Sequence, residues 1–345
     1  MGQCAVAAKI RIPVSIITGF LGSGKTTLLN HLVKQPGMSD TAVIVNEFGE
    51  IGLDHLLIEQ AFEDTVLLQN GCICCSIRGD LVDTLESLDA QVSRGEIPPY
   101  ARVIVETTGL ADPAPVLQTL MTNERLQTRY TLDGVVATVD AVNGVGQLDE
   151  FSESVKQAAI ADHLFITKGD LAGQQAIDEL TKRLLALNPN APITLIKHGA
   201  ADPDSLFGNG PIAAPSRLRR QTPAPHGRDH SHDSSIQTFA IVHKVPLPWD
   251  AVRAWLESVA SLRGADLLRM KGILNVAGRG GPVIIHGVQH VFHPPVELPK
   301  WPNDDRTTRI VFITRNIEKA GLENALSVFI DHEKEAYKTG SSVNP

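Results

Sequence analysis

Three of the four cysteines of this 345-residue chain lie in one pentapeptide, Gly71-Cys72-Ile73-Cys74-Cys75. Thiolates are soft ligands that suit Zn²⁺, Cu⁺ and related ions, and a tetrahedral zinc site takes four donors. Cys72, Cys74 and Cys75 would supply three of these donors, which leaves the fourth position to water, a carboxylate or an incoming partner. The pentapeptide therefore predicts an open metal site, one that can load and release its ion.

Two other interpretations of these cysteines remain open. They could be buried free thiols that pack as small apolar side chains, or a redox pair. A disulfide is disfavoured, because nearly consecutive cysteines do not easily reach the Cα separation and dihedral angle of an S–S bond. Glu47, in the motif N-E-F-G-E after the second predicted strand, could complete the metal shell or face a magnesium ion. Alternatively, Glu47 is a solvated loop carboxylate.

A phosphate-binding loop precedes the cysteines. Residues 19–26 fit the pattern G-x-x-x-x-G-K-[ST], and they follow an apolar strand and open a helix, as the motif requires. Backbone N–H groups around the loop glycines would turn inward and bind the β-phosphate, while Lys25 would place its charge on the β- and γ-phosphates. Thr26 would bind magnesium through its hydroxyl. The three loop glycines are Gly19, Gly22 and Gly24.

A carboxylate ends the strand predicted at residues 102–106. The carboxyl ends of parallel strands line the ligand crevice of open α/β sheets, so Glu106 would support magnesium through its water shell. The N–H of Gly109 would sense the γ-phosphate. Alternatively, Glu106 caps the turn that follows. Lys25, Thr26 and Glu106 are thus the predicted catalytic residues.

The segment Thr167-Lys168-Gly169-Asp170 predicts which base is bound. An Asp carboxylate accepts hydrogen bonds from the N1 and N2 donors of guanine, which adenine does not offer, and a Lys stem can cover the ring face. Thr167 stands where Asn normally precedes Lys in this motif. Asp170 and Lys168 therefore predict GTP and GDP as the nucleotides, and residues 197–200 could add backbone contacts to the guanine O6.

These motifs need a framework that brings strand ends together. Over about the first 200 residues, apolar strands alternate with helical spacings, which predicts a mostly parallel sheet with helices on both faces. The predicted fold class is α/β, a P-loop NTPase domain followed by a smaller α+β C-terminal domain. The strands predicted in the first domain are residues 14–18, 41–46, 102–106, 134–140, 163–167 and 193–197.

A change in composition divides the chain. Residues 209–235 are rich in proline and polar residues, which is typical of a linker or mobile loop. The predicted organisation is therefore a P-loop GTPase domain at 1–208, a histidine-containing linker at 209–235 and an α+β domain at 236–345. The elements predicted beyond the linker are strands at 237–243, 267–275, 283–286 and 309–314, and helices at 249–262 and from about 318.

Histidines outside these motifs carry weaker signals. His226, His230 and His232 in the linker could gather a metal ion with low affinity, or they could simply be solvated. His286 and His290 would share a strand face if the strand ran as far as residue 290, but four residues of strand span roughly 13 Å, too far to bind one ion together. These two are predicted to be core or surface side chains without a ligand role.

The composition argues against several classes of protein. A formal net charge of −8 gives no sign of a basic surface, so no nucleic-acid partner is expected. No apolar run approaches the roughly 18 residues that a membrane span needs, so no membrane partner is expected. The N-terminal residues lack the apolar core of a secretion signal, and scarce, clustered cysteines suit a reducing compartment. A cytoplasmic protein is therefore predicted.

Five motifs occur in order along the chain: G-F-L-G-S-G-K-T-T, N-E-F-G-E, G-C-I-C-C, E-T-T-G-L-A-D-P and T-K-G-D. In this ordered set, over nearly its whole length, the chain resembles the CobW-type GTPases, a family of metal chaperones. The resemblance implies GTP hydrolysis coupled to delivery of a transition metal, zinc or cobalt, to a client metalloprotein. It implies that the three clustered cysteines are metal ligands. The residues it implies for GTP and Mg²⁺ are Gly22, Ser23, Gly24, Lys25, Thr26, Thr27, Glu106, Thr167, Lys168 and Asp170.

The predicted function is therefore a GTP-hydrolysing metallochaperone under nucleotide control. No arginine finger or water-positioning Gln can be assigned from the sequence, so slow intrinsic turnover is expected, accelerated by a client or by nucleotide-dependent homo-oligomerisation. Two alternatives remain. One is a nucleotide-gated metal buffer or sensor without efficient turnover, and the other is a small-molecule kinase on the same phosphate loop, which would usually accept ATP.

Overall fold

The computed structural model describes residues 11–45, 66–67, 73–76, 80–203, 207 and 236–340. The described residues form two sheets with flanking helices. The linker predicted at 209–235 lies outside them, so its bounds stay a prediction. None of the described helices is long and apolar enough to cross a membrane.

The first part of the chain alternates strands and helices. Its strands are β1 (Ile12–Gly19), β2 (Thr41–Val45), β3 (Val66–Leu67), β4 (Ile73–Ser76), β5 (Arg102–Glu106), β6 (Tyr130–Asp140), β7 (His163–Thr167) and β8 (Ile193–Leu195). Its helices are α1 (Lys25–Leu32), α2 (Leu81–Arg94), α3 (Ala114–Thr122), α4 (Glu124–Gln127), α5 (Gly144–Glu150), α6 (Ser152–Ile160) and α7 (Gln174–Leu187). The alternation predicted from the sequence is confirmed.

The first sheet has the order β3-β4-β2-β5-β1-β6-β7-β8. The short edge strand β3 pairs with β4 in the antiparallel sense, and the other pairs are parallel. The inner strands β1, β2 and β5 are runs of apolar, mostly β-branched residues that are buried on both faces, as parallel strands between helix layers should be. This arrangement confirms the predicted α/β class.

The topology brings four strand ends to one edge of the first sheet. β1, β5, β6 and β7 are neighbours in the sheet, and they end at Gly19, Glu106, Asp140 and Thr167 respectively. In open α/β sheets, ligands bind outside the carboxyl ends of the strands. The residues singled out by their motifs are therefore gathered where a ligand is expected.

The second part of the chain forms an antiparallel sheet with two long helices. Its elements are β9 (Ile236–His243), α8 (Trp249–Arg263), β10 (Leu267–Leu274), β11 (Val283–Val288), β12 (Val291–Phe292), β13 (Val296–Glu297), β14 (Thr308–Arg315) and α9 (Lys319–Gly340). The strand order is β12-β11-β10-β14-β9, with β13 also paired to β11. A core that includes Trp255 and Phe312, both fully buried, joins α8 and α9 to this sheet.

Each predicted strand is present, and its bounds lie within two residues of the prediction except at the start of β6. Strand β6 begins at Tyr130 rather than at residue 134, because the first residues continue the pairing with β1 across a register shift. Strand β8 ends at Leu195 rather than at residue 197, where a turn begins. The short strands β3, β4, β12 and β13 and the helices α3 to α6 were not predicted, since these elements are short and their apolar spacing is brief.

A buried ionic cluster joins the two parts of the chain. Asp162, which follows α6, accepts hydrogen bonds from Arg269 and Lys271 of β10. Asp162 and Arg269 are almost fully buried. Burial raises the pKa of Asp162, but the two cations outweigh burial and hold that pKa well below its usual range. Asp162 is therefore a charged contact between the two sheets.

His286 and His293 lie beside this cluster, with their ring centroids 5.0 Å apart. Burial lowers the pKa of His286 well below its ordinary value, and the neighbouring Arg269 and Lys271 lower it further. Burial also lowers the pKa of His293 to about 4. His286 is thus a core residue of β11, whereas His290 lies beyond the strand, so the two do not share a strand face.

These two histidines are expected to make the fold sensitive to acid. Because their pKa values are depressed in the folded chain, the unfolded chain binds more protons as the pH falls from about 6.5 toward 4, and stability is lost over that range. Each histidine contributes at most about 1.4 kcal/mol per pH unit to this loss. The free energy of unfolding, measured by denaturant titration at pH 7 and pH 5, should fall less in a His286→Gln/His293→Gln variant than in the wild type. If the double variant loses as much stability between pH 7 and pH 5 as the wild type, the two histidines are not the cause of the acid sensitivity. His198→Gln, at an exposed position, is the control and should lose as much stability as the wild type.

Candidate nucleotide-binding site

The phosphate loop runs from the end of β1 to the start of α1, as its motif predicts. Gly24 has φ 89°, a left-handed conformation that suits glycine, and it directly precedes the first helical residue, Lys25. Gly19 lies so close to β6 that a Cβ added to it would be only 2.3 Å from the Thr138 hydroxyl, so no larger residue fits there. The Ser23 and Thr138 hydroxyls are hydrogen-bonded at 2.7 Å. The loop is therefore anchored to the end of β6 as well as to β1.

The side chain of Lys25 points into this loop. Its Nζ donates to the carbonyl oxygens of Gly19 (2.9 Å) and Phe20 (3.2 Å). Burial lowers the pKa of Lys25, and the nearby Glu106 carboxylate opposes that shift. An ammonium held inside the loop can contact the β- and γ-phosphates of a bound nucleotide, which is the predicted role.

Thr26 and Glu106 meet at the mouth of the loop. Thr26 Oγ1 donates to Glu106 Oε1 at 2.9 Å, although the two residues are 80 positions apart in the chain. Glu106 is buried, and the neighbouring Thr107 hydroxyl donates to Thr18 Oγ1 at 2.9 Å, which ties the ends of β5 and β1 together. A hydroxyl and a carboxylate are hard oxygen donors, so this pair fits Mg²⁺.

Thr167 links the predicted base-binding segment to the phosphate loop. Its Oγ1 donates to the Ser23 carbonyl at 2.7 Å and lies 3.3 Å from the Val139 carbonyl. The side chain also packs 3.6 Å from the position that a Cβ on Gly24 would take. The Thr that replaces the usual Asn of this motif therefore still connects the two segments through a hydrogen bond.

Lys168 is held by Asp140, a residue that the sequence analysis missed. Lys168 Nζ donates to Asp140 Oδ2 at 2.7 Å, and Asp140 also accepts from the Val142 amide and Asn143 Nδ2. Burial raises the pKa of Asp140, but these hydrogen bonds outweigh burial and lower it. The ion pair fixes Lys168, whose φ is 55°, at the turn that leads to Asp170. Asp140 could have been found in the sequence, because it is a carboxylate at the end of the strand predicted at residues 134–140.

Asp170 and residues 197–200 face each other across the predicted base site. His198 Nδ1 lies 3.9 Å from Asp170 Oδ2. Gly199 packs on the start of α1, since a Cβ there would lie 2.6 Å from the Thr27 carbonyl. The structure thus brings Thr27, Asp170 and the 197–200 turn together.

Gly109 lies in a tight turn against the phosphate loop. The Ala111 amide donates to the Thr108 carbonyl at 3.2 Å, and a Cβ on Gly109 would lie 2.6 Å from Leu21 Cα. Gln157 Nε2 donates to the carbonyls of Gly109 (3.2 Å) and Ala111 (3.0 Å). Gln157 was not singled out in the sequence, because helix α6 was not predicted and backbone carbonyls leave no mark in a sequence.

The part of the cysteine motif that the structure describes lies in strand β4. Cys74 and Cys75 belong to β4, where they lie opposite Val43 and Ile44 of β2. Strand β2 is in turn paired with β5, which ends at Glu106. Because neighbouring strands lie about 4.8 Å apart, the backbones of β4 and β5 are roughly 10 Å apart. The cysteine-bearing strand therefore belongs to the sheet that carries the nucleotide site.

Two of the predicted metal ligands lie outside the described residues. These are Cys72, directly before β4, and Glu47, two residues after β2. For Cys74 and Cys75 the structure describes the backbone, as given above. The linker histidines also lie outside. The metal site and its fourth ligand stay predictions.

Comparisons with known proteins agree with these observations. Residues 13–195 match the family model described as CobW/HypB/UreG, nucleotide-binding domain, and residues 236–330 match the cobalamin synthesis protein cobW C-terminal domain. The zinc chaperone YjiA of Escherichia coli (strain K12) is 35% identical over 303 residues, covering 88% of this chain and 93% of YjiA. The zinc-regulated GTPase metalloprotein activator 1 of Schizosaccharomyces pombe is 31% identical over 351 residues, covering 89% of this chain and 83% of that protein.

Solved structures give the same assignment. The crystal structure of the Zn(II)-bound YjiA GTPase from E. coli superposes with a TM-score of 0.74 at 30% sequence identity, covering 93% of this chain and 99% of that one. The first family model matches the part of the chain that forms the first sheet, and the second model matches the part that forms the second sheet. The chain therefore belongs to the CobW/HypB/UreG family of nucleotide-binding proteins and carries the CobW C-terminal domain.

Proposed function

We propose that this chain is a GTP-hydrolysing metallochaperone, which binds a transition-metal ion through Cys72, Cys74 and Cys75 and transfers it to a client metalloprotein under nucleotide control. The observation that supports this most is the position of β4, which carries Cys74 and Cys75 in the same sheet as the phosphate loop and Glu106. Zinc is the favoured ion, because thiolates suit it and relatives of this chain are named zinc chaperones. Cobalt is the alternative.

The phosphates of GTP would be bound by the loop amides and by Lys25. Thr26 would bind Mg²⁺ through its hydroxyl and Glu106 would support the ion through its water shell, and Mg²⁺ would neutralise charge on the phosphates during phosphoryl transfer. The Thr26–Glu106 hydrogen bond brings these two oxygen donors to one place, which supports the assignment. The Gly109 amide, in a turn that packs on Leu21, is close enough to the loop to respond to the γ-phosphate.

Nucleotide control would act through the segments that contact the γ-phosphate. Bound GTP would order the segments of Glu47 and Gly109, and β2, which leads toward Glu47, pairs with the cysteine strand β4. Hydrolysis would remove those contacts and loosen the thiolate site. Glu47 is proposed as the fourth ligand or as the link to magnesium.

Intrinsic turnover is proposed to be slow, below about 1 s⁻¹, the lower end for ordinary enzymes. Efficient phosphoryl transfer needs a group that orients the attacking water and one that stabilises the transition-state charge. Acceleration would come from a client protein or from a second copy of the chain that supplies such a group. The proposal as a whole is tested by zinc affinity measured with a GTP analogue, with GDP and without nucleotide.

Base specificity offers a sharp test against the kinase alternative. Asp170→Asn should weaken GTP binding by about 10²-fold or more, because one charge-assisted hydrogen bond is lost and the Asn amide donor then faces the amino group of guanine. The same variant should bind xanthosine triphosphate more tightly than GTP, since xanthine has a carbonyl where guanine has its amino group and an Asn amide can donate to it. Dissociation constants from competition with a fluorescent GDP analogue give the measurement.

Asp178→Asn, an exposed carboxylate on α7, is the matched control for this substitution. Wild-type protein should not exchange bound GTP analogue for ATP at equal concentration. Equal displacement by ATP, or unchanged GTP affinity in Asp170→Asn, would contradict guanine recognition and favour the kinase.

A further inference from the structure

Helix α6 touches the turn that contains Gly109. Gln157 is 1% exposed, and its single Nε2 donates to both the Gly109 and Ala111 carbonyls. The preceding residue, Lys156, places its Nζ 3.2 Å from Asp112 Oδ2. Two consecutive side chains of α6 therefore hold the turn at three points.

The turn is enclosed between α6 and the phosphate loop. On one side Gly109 packs on the backbone of Leu21, and on the other its carbonyl is bound by Gln157. The Ala111 to Thr108 hydrogen bond makes the turn itself compact. A shift of the turn toward a bound γ-phosphate must therefore either stretch the Gln157 contacts or move α6.

The other end of α6 is fixed to the second sheet. Ala159 packs with Leu268 and Ile313, all of them buried. Asp162, two residues after the helix, is bound by Arg269 and Lys271 from β10 and accepts the Val135 amide at 2.9 Å. The helix that contacts the Gly109 turn thus ends in a buried ionic contact with the C-terminal sheet.

A second contact leads from the same turn to the C-terminal domain. Helix α3 starts at Ala114, three residues after Ala111, and Gln118 on this helix donates to Gln289 Oε1 at 3.2 Å. Gln289 lies between the paired strands β11 and β12. The turn is therefore connected to the second sheet on both sides.

We propose that α6 couples the nucleotide state of the Gly109 turn to the position of the C-terminal domain, with Gln157 as the positioning residue and Asp162 as the anchor. This inference rests on the proposed function, because it requires a turn that responds to the γ-phosphate of GTP. Coupling between two sites is reciprocal. Substitutions on the C-terminal side of the anchor must therefore change how well the protein distinguishes GTP from GDP.

The test uses the full chain and measures its affinity for two fluorescent nucleotides, a non-hydrolysable GTP analogue and GDP. The ratio of these two affinities is compared between variants. Gln157→Leu removes the contacts with the turn. Lys271→Met weakens the anchor yet leaves the Arg269–Asp162 pair neutral in total charge, so it should fold. Each variant is expected to change the ratio of the two affinities by about 5-fold or more, the lower end of typical couplings.

The double variant distinguishes a shared path from two unrelated effects. If both residues act through α6, the double variant Gln157→Leu/Lys271→Met should change the ratio of GTP-analogue to GDP affinity by as much as the stronger single variant does. Two unrelated effects would instead multiply. Gln174→Leu and Lys182→Met, both at exposed positions of α7, are the matched controls and should leave the ratio unchanged.

Two results would overturn the inference, and they are distinguishable. If the folded Lys271→Met protein keeps the wild-type ratio within 2-fold, α6 does not couple the two sites, while guanine-nucleotide binding by the wild type would still support the proposed function. If the wild type binds neither nucleotide, the proposed function fails and the coupling fails with it.

Discussion

Replacing Lys25 by alanine should lower kcat/KM for GTP hydrolysis by about 10³-fold or more. The Lys25 ammonium is held inside the phosphate loop by two carbonyl oxygens, where it can stabilise charge on the β- and γ-phosphates as the reaction proceeds. Loss of one such preorganised donor typically costs about 10² to 10³ in rate, and the loss of a full charge should cost at least as much. Phosphate release under multiple-turnover conditions gives the measurement.

Stability separates this effect from unfolding. Lys25 is buried, so its charged form loses solvation in the loop, and this burial lowers its pKa. Removal of this buried charge should leave the thermal midpoint equal to or above that of the wild type while activity falls. Lys34→Ala, an exposed lysine just beyond α1, is the control and should behave as the wild type. Activity of Lys25→Ala within 10-fold of the wild type would contradict the assigned role.

The nucleotide site could be read from the sequence because its parts are local motifs. Gly24, Lys25 and Thr26 are adjacent in the chain, and the strand-to-helix context of the loop is visible in the apolar pattern. Glu106 could be placed because a carboxylate at the end of a parallel strand faces the ligand edge. In the structure the Thr26 hydroxyl donates to Glu106, so the two residues lie together, and their role toward magnesium stays a prediction.

Contacts between distant residues were not predictable from one sequence. Asp140 and Lys168 are 28 residues apart, and Asp162 and Arg269 are 107 apart, so no periodic pattern links them. Gln157 contacts backbone carbonyls, which any residue could provide, and its role depends on where α6 packs. These are tertiary contacts, whereas motifs and periodicity report on local structure.

Strand β4 could not be predicted from the sequence for a different reason. Its four residues, Ile73–Ser76, are too few to show alternation, and the cysteines within them point first to metal binding. Pairing with β2 gives these residues a strand conformation. As a result, Cys74 and Cys75 belong to the sheet that contains Glu106, which supports the proposed link between metal and nucleotide.

The central claim, that GTP controls metal binding by the clustered cysteines, is tested most directly by zinc titration of the full chain against a competing chelator. Zinc affinity should be at least about 10-fold tighter with a non-hydrolysable GTP analogue than with GDP, a coupling within the usual range. A variant with Cys72, Cys74 and Cys75 replaced by serine should lose about 10³-fold or more of that affinity, since three thiolate ligands are removed. Cys4→Ser, at the remaining cysteine, is the control and should match the wild type. Zinc affinity that is the same in all three nucleotide states, or the same in the triple-serine variant, would contradict the account.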